Sequence, residues 1–104
     1  MEDVQKEIND FAIKHHLGGS IETRFIDLVS EIGELGKEIL GGTNYGTRGF
    51  EKTSNLESEI GDALFSLVSV ANCAGIQLDS ALNGVLAKYE TRFNAKGHIG
   101  SGEK

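Results

Sequence analysis

The chain contains no proline and no tryptophan, a single cysteine, and ten basic residues against sixteen acidic ones. Each shortage excludes something. Without proline, helix punctuation falls to the fourteen glycines, most of which lie between periodic segments. One thiol, Cys73, can build neither an internal disulfide nor a cysteine-rich zinc site, and it reads as a small buried residue without chemistry. No apolar run approaches the length of a membrane span. The start, Met1-Glu2-Asp3-Val4-Gln5, lacks the basic and apolar stretches of a signal peptide. A cytoplasmic, reducing compartment and no membrane partner are therefore expected. The net charge of −6 leaves no basic surface from which a nucleic-acid polymer could release counterions. A phosphate-bearing small molecule remains compatible with it, provided divalent cations stand between two negative partners.

What is present is enough for one small domain: 104 residues, 38% of them hydrophobic. Four helices can be read from the 3.6-residue period. The first runs from about Glu2 to His16, with Val4, Ile8 and Phe11 on one face, and Gly18-Gly19 is expected to stop it. The second runs from Ser20 to Leu40 along Ile21, Phe25, Leu28, Ile32, Leu35 and Ile39. The third opens at Ser54, where Ser54-x-x-Glu57 resembles a capping box, and continues to about Ala74. The fourth follows Asp79 as N-cap and carries Leu82, Val85, Leu86, Tyr89 and Phe93. No segment alternates with period two for long enough to form a strand. The expected fold is all-α, one domain over 1–94, with a flexible tail over 95–104 and a long glycine-rich loop over 41–53.

On the second helix Asp27, Glu31, Glu34 and Glu38 fall within an arc of about 60°. Like charges at this spacing weaken a helix, and only Arg24 is placed to offset them. Asp27 is its natural partner. The third helix is apolar nearly all round, which marks it as buried. Its one polar strip carries Ser58, Glu59, Asp62, Ser66, Ser69 and Cys73. Two carboxylates on a buried helix need compensation, and no cationic residue occurs between Lys52 and Lys88. If the two strips face each other, Glu31, Glu34, Glu59 and Asp62 converge as hard oxygen ligands, suited to Mg²⁺ or Mn²⁺ rather than zinc. A ferritin-like di-iron site is disfavoured, because neither acidic pair ends in histidine.

Glu31-Ile-Gly-Glu34-Leu and Glu59-Ile-Gly-Asp62-Ala-Leu-Phe together resemble the E-x-x-E and E-x-x-D signature of the MazG-type all-α nucleoside triphosphate pyrophosphohydrolases. The resemblance continues through Leu67 to Asn72, Gly75 to Asp79, and Lys88-Tyr-Glu-Thr-Arg92-Phe, covering about residues 20 to 94. It implies Mg²⁺-dependent cleavage of the α–β linkage of an NTP or dNTP, yielding a monophosphate and pyrophosphate, in nucleotide-pool house-cleaning. It implies Glu31, Glu34, Glu59 and Asp62 as catalytic metal ligands, and Asn72, Lys88 and Arg92 as contacts to phosphate or sugar. The chain departs from the pattern at Ser30, where a second glutamate is frequent, and at Gly36, where alanine is usual. Lacking tryptophan, it would stack a base on Phe11, Tyr45, Phe50 or another aromatic. Alternatives are a dedicated substrate (dUTP, dCTP or a phosphoribosyl-nucleotide) and a non-catalytic helical interaction module.

Other polar residues have simpler explanations. Glu57 fits a capping role, Glu38 an auxiliary ligand or a solvated one, and Lys88 with Arg92 a surface pair beside Glu90. His15-His16 suit the negative end of a helix dipole. Arg48 and Lys52 could close over phosphates, although the Walker order of residues is missing. Helices two and three are too apolar for three short neighbours to cover. A homodimer, or a dimer of dimers, is therefore expected, with active sites near the subunit boundary.

Overall fold

A computed structural model describes residues 1–100 as four helices, with no strand among them. They are α1 (Glu2–Lys14), α2 (Ile21–Gly42), α3 (Leu56–Ala74) and α4 (Leu78–Lys96). The all-α expectation holds. Of the expected tail, α4 takes in Ala95 and Lys96, and Arg92 Nη1 donates to the Ile99 carbonyl at 3.2 Å. Residues 101–104 lie outside the described part.

The helix ends differ from expectation in instructive ways. Gly18-Gly19 does not stop α1. The helix closes earlier, with Leu17 N–H donating to Ala12 O at 2.8 Å and His16 N–H to Ile13 O at 3.2 Å. His16 holds the left-handed conformation of this motif, at φ 56°. The same pair of bonds closes α2 around Asn44 and α3 around Gly75. Gly19 instead turns the corner at φ 128°, a value side chains avoid. Ser20 then caps α2, its hydroxyl accepting from Thr23 N–H at 3.2 Å.

The capping box at Ser54 does not form. Residues 54–55 make a turn that already carries Asn55 into helical φ/ψ, so α3 starts without a side-chain cap. Asp79 is likewise not the cap of α4. It lies in the first turn, where a carboxylate suits the helix dipole, and it pairs with the Met1 ammonium at 3.4 Å. The free N–H at this helix start is met from α1 instead. Gln5 Oε1 accepts from Leu78 N–H at 2.9 Å, while Gln5 Nε2 donates to Ile76 O at 2.8 Å and Asn72 Oδ1 at 3.1 Å. One side chain thus joins three helices.

α2 packs chiefly on α3, α1 lies against α3, and α4 touches α1 only lightly. The α3 face between them holds Ala63, Ser66, Val68, Ser69 and Ala71, all buried. As expected from its apolar sequence, the neighbours within one chain do not cover α3 all round: Ile60, Leu64 and Leu67 are exposed. No single described helix is long and apolar enough to cross a membrane; α3 and α4 reach that length only as a pair bent by 100°.

Candidate functional site

The α2–α3 pair brings the acidic strips together. One carboxylate oxygen each from Glu31, Glu59 and Asp62 lies within 4.8 Å of the others, a spacing one cation could bridge. The helix period explains the placement: Glu59 and Asp62 are one turn apart on α3, and Glu31 faces them from α2. Glu34 stands outside this 4.8 Å group but close enough to act on it. The Glu59 carboxyl is held above the usual glutamate range, first by burial and then by the charges of Asp62, Glu34, Glu31 and Glu38. Three oxygen donors, half-buried to exposed and without an ion pair among the described residues, fit a hard divalent ion.

The remaining sequence candidates are distributed differently. Asn72 donates from Nδ2 to Gln5 O at 3.1 Å and accepts from Gln5 Nε2, so its amide is engaged in holding α1 on α3. Lys88 and Arg92 flank the Tyr89 ring at 5.5 and 6.0 Å, on a helix that packs on α1 rather than on the acidic groove. Within one chain α4 makes no extensive contact with α2 or α3, the helices that carry the carboxylates. Arg48 pairs with Glu51, and Phe50 lies against the end of α2. The Arg24–Asp27 pair is present but stretched to 3.9 Å.

The loop after α2 is ordered by its own polar groups. Thr43 Oγ1 donates to Leu40 O and accepts from Gly46 N–H, each at 2.9 Å, and Glu51 N–H donates to Gly42 O at 2.9 Å. Gly42 permits this closure. A Cβ there would meet Phe50 Cε1 at 2.5 Å and Glu51 O at 2.8 Å. The loop therefore forms a fixed end to the groove near Glu38.

At the other end, toward α1, lies a cavity of about 500 Å³ between α1, the 16–19 corner, Arg24 and the second half of α3. Phe65 and Ser69 form its α3 wall, and Cys73 borders it. Cys73 is exposed, not buried as expected, because it lies on the open cavity rather than against a packed helix. Gln5, His16 and the cavity face of Arg24 were missed as functional candidates in the sequence. Only the isolated Arg24, set among acids, gave any signal there.

Paired acidic helices with a cavity along their groove suit a cation-dependent site, and comparison with known proteins identifies the family. The MazG nucleotide pyrophosphohydrolase domain matches residues 20–95, and the chain belongs to that family. It is 34% identical to the uncharacterized protein YpjD of Bacillus subtilis (strain 168) over 96 residues, spanning 88% of this chain and 85% of that one. The crystal structure of the Bacillus YpjD, a provisionally assigned pyrophosphatase, superposes with a TM-score of 0.73 at 35% identity. That match covers 88% of this chain and 94% of the other.

Proposed function

We propose that the protein is a divalent-cation-dependent nucleotide pyrophosphohydrolase that cleaves the α–β linkage of an NTP or dNTP. The observation that carries this is the Glu31–Glu59–Asp62 cluster in a chain of this family. These three carboxylates would hold the cation, with Glu34 beside them as a fourth donor. When bound, Mg²⁺ or Mn²⁺ neutralises the polyphosphate and activates water for in-line attack. The acidic groove orients the phosphates through that ion, which reconciles a protein of net charge −6 with a polyanion. The adjoining cavity would take the nucleoside half and exclude water from it.

The working form is proposed to be a homodimer or a dimer of dimers. The buried apolar residues that form the core among the described residues are Ala63, Val68 and Ala71, and of these Val68 alone is fully enclosed. The accessible surface is 7543 Å², whereas a compact monomer of this mass exposes about 5,700 Å². The exposed Ile26, Val29 and Leu40 on α2 share one helix face with Gly33 and Gly36, and a Cβ at either glycine would meet open space. A second copy packed there would account for both the apolar residues and the glycines. It would also let Lys88 and Arg92 approach phosphate at the subunit boundary.

The test is a panel of NTPs and dNTPs with Mg²⁺, assayed separately for pyrophosphate and orthophosphate. Pyrophosphate with a monophosphate is expected, and chelation of the cation should stop it. Orthophosphate as sole product would contradict α–β cleavage.

A further inference from the structure

The cavity beside the acidic cluster contains a residue that its own turn does not explain. Three helices close with the same pair of backbone bonds, and two of them place Asn44 and Gly75 at the left-handed position. Asparagine and glycine are the residues that adopt it most readily. At the end of α1 the residue is His16, at φ 56°. Both closing bonds come from backbone N–H groups, so the imidazole contributes nothing to the turn. Its neighbour His15 has a packing role, with its ring 4.5 Å from that of Phe11. The His16 ring has no ring or hydrogen-bond partner among the described residues, and it borders the cavity. Histidine tolerates the left-handed position, so it is the place of this ring on the cavity, with no partner of its own among the described residues, that points to use.

Arg24 borders the same cavity from α2. Its side chain is only 19% exposed, and Asp27 lies 3.9 Å from Nη1, beyond hydrogen-bond range. Nη2 donates to the Gly18 carbonyl, while Nε is enclosed and has no partner. A guanidinium held this far from water without a bonded carboxylate has donors to spare, and burying them unmet is unfavourable. The distances suit a single ligand. Arg24 precedes Glu31 by seven residues and Ser69 follows Asp62 by seven. On both helices the cavity therefore lies about 10 Å along the groove from the cluster, comparable to the reach from the α-phosphorus of a nucleotide through its sugar to its base.

We propose that His16 and Arg24 are the specificity-determining residues of the nucleoside pocket, reading the base of the nucleotide whose phosphates the acidic groove holds. This rests on the pyrophosphohydrolase reading above. Phe65 supplies the apolar wall against the ring, and Arg24 supplies donors for a base edge with two adjacent acceptors. Guanine offers O6 with N7, and cytosine offers O2 with N3. Uracil, thymine and adenine separate their acceptors by a donor or place them on different edges, and they fit less well.

The experiment uses the full chain and separates the pocket from the chemistry. Binding of GMP, CMP, AMP and UMP is measured by calorimetry without added metal, beside wild-type turnover of the triphosphates with Mg²⁺. Wild type is expected to bind GMP or CMP about tenfold more tightly than AMP and UMP. His16→Gly should raise the melting temperature, because glycine suits that φ, while erasing this discrimination. Arg24→Lys, which keeps the charge but not the paired donors, should erase it too. In turnover both variants should raise KM for the preferred base while kcat changes little. Equal binding of all four bases by wild type would overturn the proposal, as would undiminished discrimination in both variants. Base-selective binding with no triphosphate turnover would support the pocket while refuting the hydrolase reading, so the two failures are distinguishable.

Discussion

A carboxylate half-buried beside two others holds its proton more tightly than a solvated one. Glu59 is in that position, with its proton affinity raised by burial and by Asp62, Glu34, Glu31 and Glu38. The sign of the effect on stability follows from linkage. Glu59 binds its proton more tightly in the folded chain than in the unfolded one. It therefore contributes stability at pH values below its ordinary 4.5, and that contribution is lost as the pH rises through the raised value. In thermal melts of the metal-free protein across that window, wild type should lose stability with rising pH more steeply than Glu59→Gln. Parallel curves would remove the electrostatic account. At neutral pH the same variant should melt higher than metal-free wild type, yet gain nothing from added Mg²⁺, while wild type should rise with the ion. Its turnover, and that of Asp62→Asn, should fall by about a hundredfold or more, with the helical circular dichroism retained. Full activity in both would show that the cluster is not the centre.

At the scale of the elements, what organises the site is a hairpin, α2 on α3, closed at one end by a loop, while a glutamine of α1 joins the far end of α3 to the start of α4. Gly42→Ala forces a methyl group into Phe50 and the Glu51 carbonyl. It should cost about 1–3 kcal/mol, seen as a lower urea midpoint with an unchanged slope. Gln5→Ala leaves Leu78 N–H and Asn72 Oδ1 without their side-chain partner, while Asn72 Nδ2 keeps its bond to the residue 5 carbonyl. A loss of about 1–2 kcal/mol is expected, with protection of the α4 amides against hydrogen exchange falling first. These elements also show what could be read in advance. The helices, the facing of Glu31 on Glu59 and Asp62, and the central place of α3 follow from periodicity and from charge on an apolar helix, both of which are local signals. The caps did not follow. Ser54 and Asp79 had the right chemistry, but caps depend on the φ/ψ of the preceding turn and on groups such as Gln5 that are distant in sequence. His16 was illegible for the same reason: nothing in the sequence says that α1 will end at Lys14, four residues before the first of the two glycines.

The molecule as a whole is less closed than its helices. Its radius of gyration is 17.0 Å, against about 13 Å for a compact domain of this length. Its surface exceeds that of a compact monomer by roughly 1,800 Å², within the range that each partner buries in an obligate dimer. Ile60, Leu64 and Leu67 recur at i, i+4 and i+7 on α3, so they form one exposed apolar stripe on the helix that also carries Glu59 and Asp62. A charge placed on that stripe tests whether a second copy covers it. In sedimentation at micromolar concentration, wild type should run as a dimer or larger, and Leu67→Asp should shift it toward monomer with a lower melting temperature. If Lys88 and Arg92 act at the subunit boundary, turnover should fall along with dissociation, since within one chain α4 makes no extensive contact with the helices of the acidic groove. A monomeric wild type that remained fully active would refute the assembly, and would require α4 to reach the carboxylates of its own chain.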